Sequence, residues 1–146
     1  MRTQTLRILI IAFAAALCGC GQGSNGPEAN PQTGENNMAA VTGNVFYLQR
    51  IALPPDAQLR VVLADVSKMD VAAPVLAEQT LYGPLQVPVA FRLEYDPTQI
   101  DERMSYAVQA RIESGGELLF ITTENHPVIT RGNPADLEVR VDPVRR

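Results

Sequence analysis

Val87-Pro88-Val89-Ala90-Phe91-Arg92-Leu93-Glu94-Tyr95 is the stretch that decides the fold. Val87, Val89, Phe91, Leu93 and Tyr95 fall on one side, and Arg92 and Glu94 fall on the other. That is a period of two, the repeat of a strand whose successive side chains point to opposite faces. Tyr106, Val108, Ala110 and Ile112 repeat the pattern against Gln109, Arg111 and Glu113. Leu137, Val139 and Val141 alternate with Glu138, Arg140 and Asp142, and Leu59, Val61 and Leu63 make a fourth set.

Further strands are expected near residues 41–50, 75–81 and 117–123. Turn signals stand between the strands: Pro54-Pro55-Asp56, Tyr82-Gly83-Pro84, Asp96-Pro97 and Gly115-Gly116. A Gly-Gly pair flanked by two strands is a tight-hairpin signal, because both central residues can take positive φ. No amphipathic helix is evident, and residues 97–104 have room for one short turn. The fold class expected is all-β, an antiparallel β-sandwich of about seven strands at this spacing. Tyr106 opens a strand just after a turn. Its hydroxyl is either bonded to nearby backbone, as in a tyrosine corner, or wet at the rim of the core.

Upstream of the strands the composition changes. From Gly21 to about Met38 the chain is rich in Gly, Asn, Pro, Gln and Ser, with almost nothing apolar to bury, and reads as a flexible tether. About eighteen such residues have a root-mean-square reach of roughly 20–25 Å. Residues 1–19 have the layout of a secretory signal: Arg2 and Arg7, then an uncharged run from Ile8 to Leu17, then small residues and cysteine. The run spans roughly 15 Å as a helix, half of a bilayer core of about 30 Å, so it is too short for a permanent span.

Leu17-Cys18-Gly19-Cys20 resembles the bacterial lipobox. The resemblance implies cleavage after Gly19, a diacylglycerol on Cys20 Sγ and acylation of the new amino group. Cys18 fits less well, because bulky Leu17 would precede it. Two or more acyl chains anchor a protein stably, at about 0.8 kcal/mol per buried CH₂. Gly21 follows the lipidated residue. Resemblance to enterobacterial lipoproteins then implies the periplasmic face of the outer membrane, since Asp at that place is the usual inner-membrane retention signal. The expected organisation is therefore signal peptide 1–19, lipidated cysteine and tether 20–38, and one folded domain 39–146.

Charge limits the partners. The chain carries a net charge of −4, and loss of Arg2 and Arg7 with residues 1–19 takes the remaining side chains to −6. Nucleic acid needs clustered Lys and Arg, so it is not an expected partner. Cys18 and Cys20 are the only cysteines, so the mature domain has no internal disulfide.

Chemistry is sparse. His126, the only histidine, sits in Glu124-Asn125-His126-Pro127, which reads as a solvated loop. A zinc site needs three or four ligands, and no thiolate is free to join it. Ser67, Ser105 and Ser114 have no nucleophile motif around them. Asp96, Asp101 and Glu102 cluster at a turn, with spacing that suits capping better than calcium. No catalytic, metal or cofactor site is expected, and the chain is not read as an enzyme.

A further resemblance lies in an ordered set of motifs: Val41-Thr42-Gly43, Arg50-Ile51-Ala52-Leu53-Pro54-Pro55-Asp56-Ala57, Leu63-Ala64-Asp65-Val66-Ser67, Ala77-Glu78-Gln79, Phe91 to Asp96, Tyr106 to Ile112 and Val128 to Pro134. Together they resemble the YbaY/YscW-type lipoprotein family across about residues 41–141. The resemblance implies a small β-sandwich lipoprotein, and its best-understood branch contains pilotins, which help a secretin ring reach or assemble in the outer membrane. The expected function is a non-catalytic, pilotin-like accessory or chaperone that binds another envelope protein, such as a secretin. The alternative is a structural envelope lipoprotein with no single client. The first strand, 41–50, has apolar residues on both faces: either the domain itself covers both, or the strand is a candidate edge for pairing with a client.

Overall fold

The computed structural model describes residues 37–68 and 70–145. The signal peptide, Cys20 and almost all of the expected tether lie outside the described residues. Nine strands follow in order: β1 (Ala39–Phe46), β2 (Gln58–Asp65), β3 (Val75–Tyr82), β4 (Val89–Tyr95), β5 (Tyr106–Ser114), β6 (Glu117–Ile121), β7 (His126–Val128), β8 (Asp136–Arg140) and β9 (Asp142–Pro143). The only helical element among the described residues is a 3-10 turn at Pro97–Gln99, where a short turn was expected.

The strands form two sheets. One has the order β4-β1-β8, and the other has β3-β2-β5-β6-β9, with β7 also paired to β5. All pairings are antiparallel except β1 with β8, which is parallel. The fold is the expected β-sandwich with that one exception. The two strands beyond the expected seven are short: β7 has three residues and β9 has two.

The alternating residues make the core. Val41, Val45, Leu59, Val61, Leu63, Val108, Ile112, Val139 and Val141 are all 0% exposed. On β4, Phe91, Leu93 and Tyr95 are buried, and Ala90, Arg92 and Glu94 are exposed. Burying one such apolar side chain contributes about 1.5–3 kcal/mol. Tyr47 closes the core between the sheets by stacking on Phe120, with ring centroids 4.6 Å apart. Gly115 and Gly116 take φ of +57° and +82°, the geometry of the two-residue hairpin expected there.

Gly43 holds β1 and β8 together. A Cβ at that position would lie 1.9 Å from the Leu137 carbonyl oxygen. Only glycine lets the parallel partner come this close.

One open reading is decided and one expectation is corrected. The first strand is not an edge: β1 stops at Phe46 and lies between β4 and β8. Val41 and Val45 fill its inward face, and on the other face Phe46 is half-buried beside Thr42 and Asn44. Leu48, expected on the strand, lies past its end and is exposed. His126 is not a loop residue. It pairs with Val108 through β7, because β6 ends at Ile121 and leaves the first half of β5 for another strand to cover.

Candidate interaction surface

The residues examined for chemistry do structural work. Asp96 accepts the Thr98 N–H at 2.8 Å and caps the 3-10 turn. Asp101 accepts the Arg103 N–H at 2.9 Å and pairs with the Arg103 guanidinium at 2.7 Å. Those bonds, the side-chain one foremost, hold its carboxyl down at about 2. The Ser67 hydroxyl accepts the Ser105 N–H at 2.8 Å, and the Ser114 hydroxyl donates to Asp56 at 2.8 Å. His126 is half-buried, and its Nε2 is enclosed without a hydrogen-bond partner. Among the described residues no group of His, Cys, Asp and Glu is placed to hold a metal ion.

Two of the motifs that carry the resemblance are likewise turned inward. The Tyr106 hydroxyl accepts the Asp101 N–H at 3.0 Å, so the tyrosine-corner reading holds over the wet one. In the 129–135 loop, Thr130 donates to the Met104 carbonyl at 2.9 Å, and Arg131 and Gly132 turn the chain at φ of +59° and +77°.

An interaction surface must therefore be sought in the sheet edges and clefts. Strand β8 is short and carries Asp136, Glu138 and Arg140, and charges blunt an edge. Strand β7 contains Pro127, and β9 has two residues. Strand β4 is plugged: the Gln79 side chain, reaching from β3, accepts the Arg92 N–H at 2.8 Å. That N–H points away from β1, toward β3.

Strand β3 is not open either, because β4 lies alongside it and is joined to it through Gln79 and the Arg92 N–H. It has eight residues, one of them charged, with no Lys or Pro. The hydrogen-bond parity can be fixed. The Asp65 N–H donates to Pro74 O on the β3 side, and the Val66 N–H donates to Ser105 O on the β5 side. Alternation then sends the main chains of Leu59, Val61 and Leu63 toward β3, where they meet Leu81, Gln79 and Ala77. Glu78 is the strand's one charge, and Arg60 engages it at 2.6 Å.

Beyond Tyr82 the chain passes through Gly83 into Pro84, Leu85 and Val87. These line a cleft of about 390 Å³ with Ile51 and Gln49. The cleft lies at the Phe46 end of the sandwich, opposite Ala39. Ile51, in the cleft lining, is 57% exposed. Gln49 Oε1 is buried without a donor. A second cleft, of about 610 Å³, lies on the outer face of the larger sheet beside Arg60 and Arg111. Both guanidiniums already lie against carboxylates, of Glu78 and Glu113.

The sequence reading missed Gln79 and Gln49. Only Ala77-Glu78-Gln79 had drawn notice, as a motif without a physical role.

Comparison with known proteins agrees with this architecture. A family model described as type III secretion system lipoprotein chaperone (YscW) matches residues 36–141. The lipoprotein YbaY of Escherichia coli (strain K12) is 34% identical over 139 residues, covering 87% of this chain and 73% of YbaY. Among solved structures, an alternative pilotin from the type II secretion system of Vibrio cholerae is similar with a TM-score of 0.72 and 39% identity, covering 75% of this chain and 99% of that one. Matched over residues 36–141, this β-sandwich belongs to the YscW lipoprotein chaperone family.

Proposed function

We propose that the protein is a non-catalytic, pilotin-like chaperone, anchored at the periplasmic face of the outer membrane through acylated Cys20, that binds a secretin and helps it reach or assemble in that membrane. The observation that carries this reading is the likeness to the pilotin of Vibrio cholerae, at 39% identity and a TM-score of 0.72. The cleft at the Phe46 end, lined by Tyr47, Ile51, Leu53 and Leu85 beside Gln49 and Arg50, is in keeping with it. The division into signal peptide 1–19, tether 20–38 and domain 39–146 belongs to the same proposal. A tether of that length lets the domain stand off the membrane while the acyl chains keep it there.

The test is co-purification. The lipidated protein is extracted in mild detergent from cells making tagged secretins and crosslinked beforehand in the intact envelope. Recovery of a secretin with the wild-type protein supports the reading. Recovery of none, with efficient crosslinking of a control pair, contradicts it.

A further inference from the structure

We infer that the cleft at the Phe46 end is an anchor pocket for a short client segment in which a large apolar side chain stands beside an acidic one, the apolar side chain seated between Ile51 and Leu85 and the carboxylate held by Arg50. This rests on the chaperone reading above and specifies where the client is gripped and what it must carry there.

Three observations converge on it. First, the cleft is apolar and backed by the core. Leu53, Leu85 and Val87 pack against the buried cluster, and Ile51 is left exposed. One lip is pinned: the Tyr47 hydroxyl donates to the Ile51 carbonyl at 2.7 Å, and the Tyr47 ring stacks on Phe120. A client therefore meets a formed pocket and loses little free energy in ordering it.

Second, Arg50 is the only charged residue in the lining. Arg60, Arg92, Arg103, Arg111 and Arg140 each lie against a carboxylate, and Arg131 donates to the Arg103 carbonyl. Arg50 has no such partner among the described residues. In a chain of net charge −4, an unengaged guanidinium beside an apolar cleft selects a carboxylate.

Third, Gln49 Oε1 is enclosed without a hydrogen-bond partner. A buried acceptor without a donor is unfavourable. The terminal torsion of Gln is soft, so the amide can turn to meet a client peptide group, which offers both a donor and an acceptor. That favours a polypeptide over a small anion. The lips, 49–53 and 84–87, each run for several residues, which suits a segment in passage better than a chain terminus.

A second copy of this chain fits less well. Its exposed Asp70 and Val71 have the required chemistry, but seating them is a head-to-tail contact, which builds rings or open filaments.

The test uses the full lipidated chain in detergent. The probes are overlapping synthetic peptides covering the secretins of the same cell and, if no peptide binds, the intact secretins, with affinity read by titration. Peptides that bind should carry an apolar residue next to Asp or Glu, and changing that acid to its amide should weaken binding about fivefold. Arg50→Gln should weaken the parent peptide, or the intact secretin, as much. It should weaken the amide peptide no further, since the two changes remove one contact. Gln49→Leu should weaken binding about threefold while the melting temperature holds or rises, a split that a merely structural role does not give.

Binding that Arg50→Gln leaves unchanged, or losses from Arg50→Gln and the amide peptide that simply add, overturns the inference and leaves the chaperone reading standing. Binding lost on amidation of the peptide's C-terminus, and not on changing its acid, assigns Arg50 to a terminal carboxylate and also overturns it. A concentration-dependent assembly that Asp70→Asn dissolves assigns the cleft to a second copy, with the same consequence. Failure of every secretin, peptide and intact, to bind the wild-type chain overturns both.

Discussion

At the scale of single residues, the account turns on which side chains the alternation sends inward and which positions admit no side chain at all. Phe91→Ala empties a core position and should cost about 3–5 kcal/mol. Arg92→Ala, one residue away on the wet face, should cost under about 1 kcal/mol. Equal denaturation midpoints for the two would contradict the register of β4. Gly43→Ala drives a Cβ into the Leu137 carbonyl, so β8 must move off β1. Overpacking of this kind costs about 1–3 kcal/mol, and chemical denaturation should show at least that loss. Asp101 makes a prediction about pH. Its ordinary value of 3.8 falls to about 2 because it accepts bonds from Arg103. A carboxylate held down by folding contributes stability above its unfolded pKa and loses it as pH falls through the folded value. The decline of melting temperature between pH about 4 and about 2 should therefore be shallower in Asp101→Asn, though modestly, because the pair is exposed. An identical acid limb would show that the bond adds nothing.

At the scale of elements, local signals were legible and pairings were not. The alternation around Phe91, the Gly115-Gly116 hairpin and the Asp96 cap could be read from neighbours in sequence, because the physics that sets them acts over a few residues. The strand at β7 could not: three residues around Pro127 have no periodicity to show, and only the uncovered half of β5 makes them a strand. The place of β1 stayed open for a related reason. Apolar residues on both faces suit either a buried central strand or a sticky edge, and only the distant partner at 136–140 distinguishes them. A signal was present in Gly43, since a glycine inside a strand often marks a close backbone approach. The candidate surface was legible least of all. A cleft is defined by what packs around it, which no local pattern records. Tyr106 is a mixed case: its place after a turn pointed to a corner, and the bond to Asp101 settles it. Tyr106→Phe leaves that N–H without its acceptor and should cost about 1–3 kcal/mol, as read from the urea midpoint.

At the scale of the whole molecule, the two ends of β1 differ. The chain arrives at Ala39, and the apolar cleft lies at the other end, with Ile51 and Leu85. An anchor upstream of Ala39 would leave that end free for a client. Cys20→Ser should abolish incorporation of labelled fatty acid while leaving the folded domain intact, whereas Cys18→Ser should not. Label persisting in Cys20→Ser would move the anchor elsewhere. In the proposed function anchor and client binding serve one task, and following the client tests it most directly. Secretin multimers are assayed by sucrose-gradient separation of inner and outer membranes in cells with the wild-type protein, with none and with Cys20→Ser. Multimers are expected in the outer membrane only with the wild-type protein, and stalled or mislocalised secretin in the other two. Normal outer-membrane multimers in all three strains would contradict it.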